Sequence, residues 1–139
     1  MRVLCLGDSH GTVDPRIVAL ATGCDLVVHA GDVGAPEVLA VLAAAAPLQA
    51  VRGNNDTAAK WQAAATVDGA SPCESSPASL PESLVLDLPG GCLAVEHGDR
   101  VLPAKCRHER LRARYAAARA VLYGHSHRLA IDDTATPWV

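Results

Sequence analysis

Three short apolar runs, each ending in a polar loop that contains glycine, constrain the fold of this chain more than any other feature. The runs cover residues 2–6, 25–30 and 48–51. Helical segments lie between them, at 14–22 and from Ala35-Pro36-Glu37 to a stop at Pro47. Buried apolar runs that alternate with helices are typical of right-handed crossovers in a largely parallel sheet. The sequence therefore predicts an α/β fold.

The second half of the chain predicts a hairpin, a helix and a further strand. Residues 83–88 and 92–96 flank Pro89-Gly90-Gly91, a combination typical of a β-hairpin. A basic helix is predicted over 104–119 and a strand over 120–123. Residues 68–83 are rich in Ser, Pro and Ala without periodicity, so we expect a flexible surface loop there.

Size and composition narrow the class of protein. A length of 139 residues suits one core, so we interpret residues 1–139 as a single domain. A net charge of -3 provides no positive field to attract nucleic acid, which is therefore a disfavoured partner. No apolar run reaches the roughly 18 residues of a membrane helix. The five scattered cysteines, without a Cys-x-x-Cys pair, and the absence of a signal-peptide pattern at the start favour the cytoplasm.

Five polar loops, each following a predicted strand, carry the residues best suited to chemistry. They are Asp8-x-His10, Gly31-Asp32, Gly53-Asn54-Asn55-Asp56, His97-Gly98 and Gly124-His125-x-His127. Sites in open α/β sheets lie beyond the carboxyl ends of the strands, so we expect these loops to converge. Carboxylate, imidazole and amide groups without thiolate suit divalent Mn, Fe, Co, Ni or Zn.

In this order the five motifs resemble those of the calcineurin-like metallophosphoesterase superfamily. The short chain is similar to the compact bacterial and archaeal phosphodiesterases to which the retromer small subunit is related. The resemblance runs from Arg2 to about Arg128. It implies a four-layer α/β/β/α sandwich, in which the later strands form a second sheet facing the first.

The resemblance also implies the roles of individual residues. Two divalent ions are expected, with Mn²⁺ favoured over Fe, Ni, Co or Zn, and a hydroxide between them would attack the phosphorus of a small phosphate ester. The implied catalytic residues are Asp32, Asn54 and Asn55. The implied metal ligands are Asp8, His10 and His127 for the first ion, Asn54, His97 and His125 for the second, and Asp32 as the bridge.

Two departures from the family pattern matter. Asn55 stands where well-studied relatives carry a histidine that can protonate the leaving group. General acid catalysis is worth about 10²–10⁴-fold, so its loss favours phosphodiesters or esters with good leaving groups. Asn55 could bind a phosphate oxygen or be a plain loop residue. The chain also ends at Pro137-Trp138-Val139, where the family continues through an Asn-Pro-Gly turn and further strands, so either the C-terminus has been cut or this member is short. Without those strands a sheet edge would be open, which invites homodimerisation or instability.

Several alternatives stay open on the sequence alone. On the same fold, the chain could be a phosphomonoesterase or a nuclease, or a catalytically weak protein-binding scaffold resembling the retromer small subunit. A phosphodiesterase is the preferred hypothesis because all seven ligand positions are occupied. For the two histidines outside that set, structural roles are preferred over functional ones. We interpret His29 as a hydrogen-bonded core residue and His108 as a solvated residue of the basic helix.

Overall fold

The computed structural model of the chain describes residues 1–65 and 76–139, without the side chains of 63–65. Half of the predicted flexible loop at 68–83, residues 68–75, therefore lies outside the described residues. Its described part contains one short 3₁₀ helix, Pro77–Ser79, and the start of a strand at Ser83.

The first half of the chain forms a parallel sheet with helical crossovers, as predicted. The elements are β1 (Val3–Leu6), α1 (Pro15–Ala21), β2 (Leu26–His29), α2 (Pro36–Ala45), β3 (Leu48–Ala50) and α3 (Ala58–Ala65). The strand order is β1-β2-β3, and both pairings are parallel. Proline begins α1 and α2, where its missing N–H costs no helical hydrogen bond.

The second half forms a mixed sheet. It contains β4 (Ser83–Leu88), β5 (Gly91–Glu96), a 3₁₀ helix (Ala104–Cys106), α4 (Arg107–Arg114) and β6 (Ala120–Tyr123). The order is β4-β5-β6, with β4 antiparallel and β6 parallel to β5. Gly90 has φ 107° in the turn between β4 and β5, a conformation that side chains disfavour. The predicted hairpin is confirmed.

The two sheets face each other through an aliphatic core. The residues of that core are Leu26, Val28, Ala30, Val51 and Val95, with Leu84, Leu86, Leu88, Leu93 and Leu122 packed against it. On its other face the first sheet packs on helices through Val27 and Leu42, whereas α4 covers the second sheet through Leu111 and Val121. The result is the four-layer α/β/β/α sandwich that the sequence predicted.

The helix predicted over 104–119 is shorter than expected. It begins as the 3₁₀ helix Ala104–Cys106, becomes α-helical at Arg107 and ends at Arg114. The Arg119 amide donates a hydrogen bond to the Cys92 carbonyl at 2.8 Å, next to the strand pairing of β6 with β5. The chain must therefore leave the helix early enough to become extended at residue 119, a tertiary requirement that helix propensity does not report.

The expected open edge of the second sheet is partly covered by the last residues of the chain. Trp138 forms a parallel bridge with Ala120, and its carbonyl accepts a hydrogen bond from the Val121 amide at 2.7 Å. The guanidinium of Arg119 lies 4.7 Å from the centre of the Trp138 ring, a cation–π contact that holds this segment on β6. Dimerisation through this edge therefore has less free backbone to use than the sequence suggested.

Among the helices of the described ranges, none combines the length and apolar character required to cross a bilayer.

The packing of α2 on the first sheet gives a stability prediction. Leu42 is fully buried, so Leu42→Ala removes core contacts and should lower the free energy of unfolding by about 2–5 kcal/mol. Leu20 lies on α1 with 60% of its surface exposed, and Leu20→Ala should change it by less than about 0.5 kcal/mol. Urea unfolding measures the unfolding free energy of the two variants. Equal decreases would contradict the buried position of Leu42 and the exposed position of Leu20.

Candidate metal centre

Backbone hydrogen bonds hold the loops that follow β1 and β2 side by side. The Asp8 amide donates to the Gly31 carbonyl at 2.9 Å, and the His10 amide donates to the Asp32 carbonyl at 2.9 Å. The parallel pairing of the strands thus continues into the loops. Asp8, His10 and Asp32 are brought together by main-chain geometry, as the convergence of strand ends predicted.

Four of the predicted ligands form one compact group. One ligand atom from each of Asp8, His10, Asp32 and His127 lies within 4.8 Å of all the others. The Nε2 atoms of His10 and His127 are 3.2 Å apart, and each also lies 3.8 Å from a carboxylate oxygen, of Asp32 and Asp8 respectively. These are the residues that the sequence grouped around the first ion.

The other predicted ligands gather around the buried His97 ring. Its Nε2 lies 3.1 Å from Oδ1 of Asn54 and 3.3 Å from Oδ1 of Asp32. The His125 ring stands edge-on to it, with 5.2 Å between the ring centres. The Asp8 carboxylate accepts a hydrogen bond from the His125 amide at 3.0 Å, which ties the loop after β6 to the loop after β1.

The hydrogen bonding of His97 tests whether a cation fits here. Its Nδ1 lies 2.9 Å from the Ala30 carbonyl, which can only accept, so Nδ1 carries the proton in the neutral ring. Nε2 then directs a lone pair at the oxygens of Asn54 and Asp32. Three lone pairs facing one another repel, whereas a divalent cation would be bound by all three atoms. The donor set therefore fits a metal ion.

Backbone strain is concentrated at the same residues. The non-glycine residues with positive φ in the described ranges are Asp8 (55°), His10 (48°), Asp32 (53°), His125 (67°) and His127 (51°). All five belong to the predicted ligand set. A left-handed conformation costs roughly 1–3 kcal/mol per residue and persists where the surroundings impose it, commonly at functional sites.

Gly53 and Gly124 make room for the predicted ligands because glycine has no Cβ atom. A Cβ atom at Gly53 would collide with the Asp32 carboxylate, and one at Gly124 would lie 2.9 Å from the Ala30 carbonyl oxygen and 3.3 Å from Oδ1 of Asp8. Glycine at these two positions thus allows neighbouring groups to lie close to the backbone, rather than making the loops flexible.

Asn55 has a role that neither sequence interpretation included. Its amide N–H donates to Oδ1 of Asp32 at 2.8 Å, and its side-chain Nδ2 donates to Oδ2 at 2.6 Å. Burial raises the pKa of Asp32, but these two hydrogen bonds, together with His97 and His10, outweigh it and lower the pKa below its ordinary value. Asn55 therefore holds the Asp32 carboxylate ionised and in a fixed orientation.

Asp56 is the residue of the site that the sequence analysis missed. Its carboxylate accepts hydrogen bonds from the amides of Val33 (3.2 Å), Gly34 (2.8 Å) and Gly53 (2.8 Å), and from the Trp61 indole (3.3 Å). One buried side chain thus locks the loop after β2 to the loop after β3. The signal available in the sequence was an Asp in a Gly-Asn-Asn-Asp turn, where Asp commonly bonds the nearby backbone.

His29 is buried and bonded as expected, and it supports the first ligand loop. The Ser9 hydroxyl donates to the Val33 carbonyl at 3.0 Å, so it accepts the hydrogen of His29 Nε2 at 2.9 Å. The Nδ1 atom of His29 has no hydrogen-bond partner among the described residues. Burial lowers the pKa of His29 to about 4, although the Asp56 and Asp8 carboxylates partly oppose this. His29 is therefore neutral at neutral pH.

His108 is not the solvated residue that was expected. Its ring lies between Asp132 Oδ2 and the Tyr123 hydroxyl, at 2.9 Å from each, and is 32% exposed. The segment that follows β6 folds back over α4 and supplies Asp132, which also accepts from Arg112. Such a return of the chain is a tertiary feature that the basic pattern of the helix could not indicate.

Clefts open on both sides of the ligand cluster. One, of about 240 Å³, adjoins Asn54 and His97 and has a charged lining that includes Arg52, Glu82, Arg100 and Arg114. The other, of about 420 Å³, adjoins Asp8 and His127. The ligand cluster is therefore open to solvent-filled space on either side.

The family follows from comparison of the whole chain. The calcineurin-like phosphoesterase superfamily domain matches residues 1–139. The chain therefore belongs to the calcineurin-like phosphoesterase superfamily, and the resemblance drawn from its motifs is confirmed. This superfamily generally uses divalent metals. Comparison with curated protein sequences gives no match.

Solved structures share the fold at low identity. Vps29 of Entamoeba histolytica in complex with Zn²⁺ is 18% identical with a TM-score of 0.74, covering 99% of this chain and 71% of its own. A predicted phosphoesterase from Streptococcus pneumoniae is 23% identical with a TM-score of 0.60, covering 93% and 64%. An archaeal phosphodiesterase is 16% identical with a TM-score of 0.67, covering 99% and 79%. At these identities the likeness establishes the fold alone.

The Asp56 contacts predict a strong effect of a small substitution. Asp56→Asn turns one acceptor into an N–H₂ group that faces backbone donors, so at least one buried donor loses its partner. Hydrogen bonds to charged groups contribute about 1.5–3 kcal/mol each, and we expect a loss of about 3 kcal/mol in unfolding free energy. Asp133→Asn, at an exposed position, is the matched control and should change it by less than about 0.5 kcal/mol. Similar urea midpoints for the two variants would contradict the locking role.

His29 predicts a pH dependence of stability. Its pKa is about 4 in the folded chain against an ordinary 6.5, so the unfolded chain binds the proton more readily. The contribution is complete above about pH 6.5 and is lost as the pH falls towards about 4, and it amounts to about 3 kcal/mol. Urea unfolding of the metal-free protein between these limits should show a steeper loss for the wild type than for His29→Gln. If the unfolding free energy of the two proteins fell equally with pH, the lowered pKa of His29 would be contradicted.

Proposed function

We propose that the protein is a phosphodiesterase that holds two divalent metal ions, with Mn²⁺ as the preferred metal. The observation that carries this proposal is the His97 ring, fixed by Ala30 so that its free nitrogen meets the oxygens of Asn54 and Asp32. Beside it lies the compact group of Asp8, His10, Asp32 and His127. Asp32 belongs to both groups, which is what a bridging ligand requires.

The two groups would divide the seven side chains between two ions. Asp8, His10 and His127 would hold the first, Asn54, His97 and His125 would hold the second, and Asp32 would contact both. When bound, the ions would activate a water molecule and neutralise the charge of the phosphoryl oxygens. Fe, Co, Ni or Zn suit the same donors, and Zn²⁺ accompanies the similar Vps29 structure.

The chain's own residues supply orientation and charge. Asn55 fixes both oxygens of Asp32 and keeps that carboxylate ionised. Asp56 fixes the loop that carries Asn54, so the amide ligand has a defined position relative to His97. Placement of reacting groups before the substrate arrives lowers the barrier, because less ordering remains for the transition state.

A diester is favoured over a monoester by the surroundings of the cluster. The Asn54 side opens into the cleft of about 240 Å³, which offers space for the second ester substituent. Arg52 and Arg100 both pair with Glu82, and Arg114 pairs with Glu96, so the cleft does not present a concentrated positive charge for a dianionic monoester. The same charge balance, with the net charge of -3, argues against a nuclease.

A protein-binding scaffold like Vps29 is the second candidate function, and the fold similarity to Vps29 favours it. Protein binding alone does not require strained ligands and facing lone pairs, although the Vps29 structure with Zn²⁺ shows that this fold can hold a metal in such a protein. Strain and repulsion of this kind lower stability and are retained where a ligand or a reaction uses them. We therefore place the scaffold second.

Loss of the bridging carboxylate predicts loss of both metal and activity. Asp32→Ala removes the oxygens shared by the two groups, so hydrolysis of bis(p-nitrophenyl) phosphate with Mn²⁺ should fall by at least about 10²–10³-fold. The wild type should cleave this diester faster than p-nitrophenyl phosphate and should lose activity on removal of metal. Asp87→Ala, at an exposed position of β4, is the matched control.

The metal content of each variant, measured by elemental analysis, separates the two functions. A wild type that binds metal yet cleaves neither ester, while the Asp32→Ala variant remains folded, would support the scaffold. A folded wild type without tightly bound divalent metal would contradict the proposal altogether.

A further inference from the structure

A lysine stands next to the position at which the family's general acid is missing. Lys60, near the start of α3, donates a hydrogen bond from Nζ to Oδ1 of Asn55 at 2.5 Å. The Nδ2 of the same amide donates to Asp32 at 2.6 Å. The ammonium group is therefore separated from the ligand cluster by one side-chain amide.

The orientation of that amide is fixed by its two neighbours. A carboxylate can only accept and an ammonium can only donate, so Nδ2 of Asn55 must face Asp32 and Oδ1 must face Lys60. Asn55 itself has no proton to give to a leaving group. Instead, it holds a proton donor at the edge of the site with its other end anchored on the bridging carboxylate.

We propose that Lys60 is the general acid of this enzyme and protonates the leaving-group oxygen. This inference rests on the proposed phosphodiesterase function. In the step, a water oxygen forms a bond to phosphorus and gives up a proton to solvent. The ester P–O bond breaks, and its electron pair takes a proton from the Lys60 ammonium, which becomes an amine and regains a proton from water. The products are an alcohol and a phosphomonoester.

The remaining donors near the cluster are less suited to this step. The histidines of the cluster are assigned as ligands, and a ligand imidazole cannot also give its proton at the metal-binding nitrogen. Arg52 is a poor acid because a guanidinium does not lose its proton in proteins. An ammonium is a stronger acid than an alkyl alcohol, so proton transfer to a departing alkoxide is favourable. Lys60 is also exposed and on a flexible stem, so it can follow the leaving oxygen.

The test compares Lys60→Met, Lys60→Arg and Lys105→Met with the wild type. Lys105 is the other lysine of the sequence, exposed and in the 3₁₀ helix before α4, so its substitution is the matched control. The substrates are symmetric phosphodiesters whose leaving groups range from an acidic phenol, in bis(p-nitrophenyl) phosphate, to an alkyl alcohol that is a far weaker acid than the ammonium group, in dibenzyl phosphate. Metal content and thermal unfolding are measured for every variant.

A general acid predicts a loss that depends on the leaving group. p-Nitrophenolate departs without a proton, so Lys60→Met should slow hydrolysis of bis(p-nitrophenyl) phosphate by less than about 10-fold and that of dibenzyl phosphate by about 10²-fold or more. Lys60→Arg keeps the charge but donates its proton poorly, so hydrolysis of dibenzyl phosphate should remain slow. Lys105→Met should match the wild type, and metal content should be unchanged in all variants.

Equal losses on both diesters for Lys60→Met, or full recovery of dibenzyl phosphate hydrolysis by Lys60→Arg, would overturn the proposal. So would a loss of metal in Lys60→Met, because the residue would then support the ligands. These outcomes differ from failure of the proposed function, in which the wild type itself cleaves none of the esters.

Discussion

The common direction of five strand ends is the constraint on which the rest of this structure depends. β1, β2 and β3 run parallel in one sheet, and β5 and β6 run parallel in the other. Each ends in one of the polar loops, and the sheets face each other across an aliphatic core. The loops therefore meet at one edge of the sandwich. If one sheet were turned end for end, His97, His125 and His127 would lie on the opposite side from Asp8 and Asp32.

The core also explains how the ligand cluster can exist. Five residues with left-handed backbones and a set of facing lone pairs oppose folding, and their effects are of the order of 1–3 kcal/mol each. The cluster follows strands whose residues are among the most buried of the described chain, such as Val28 and Val95. The Asp56 carboxylate accepts four hydrogen bonds, of which two come from the loop after β2, one from its own loop and one from Trp61 of α3. Rigid supports thus hold together groups that would otherwise separate, which favours a site organised before a ligand binds.

Much of the fold, and the meeting of the ligands, could be predicted from the sequence because both follow from local pattern. Apolar runs mark β1 to β3, and a Pro-Gly-Gly turn marks the hairpin. The structural features that the sequence pattern did not predict depend on contacts between segments far apart in the chain. The early end of α4 follows from the pairing of Arg119 with Cys92, and the partial burial of His108 follows from the return of Asp132 over α4. The roles of Asn55 and Asp56 likewise depend on the loop that β2 places beside them.

The first turn of α3 contributes both to the fold and to the proposed chemistry. Trp61 is buried, with 4% of its surface exposed, and its indole donates to Asp56, so the first turn of the helix is anchored on the loop that carries Asn54. Lys60 precedes that tryptophan and points to the other side of the turn, towards Asn55. The indole that fixes the helix therefore also sets the distance from which the lysine can reach the cluster. A long flexible side chain on an anchored turn combines defined placement with freedom of movement, and a proton donor to a departing group requires both.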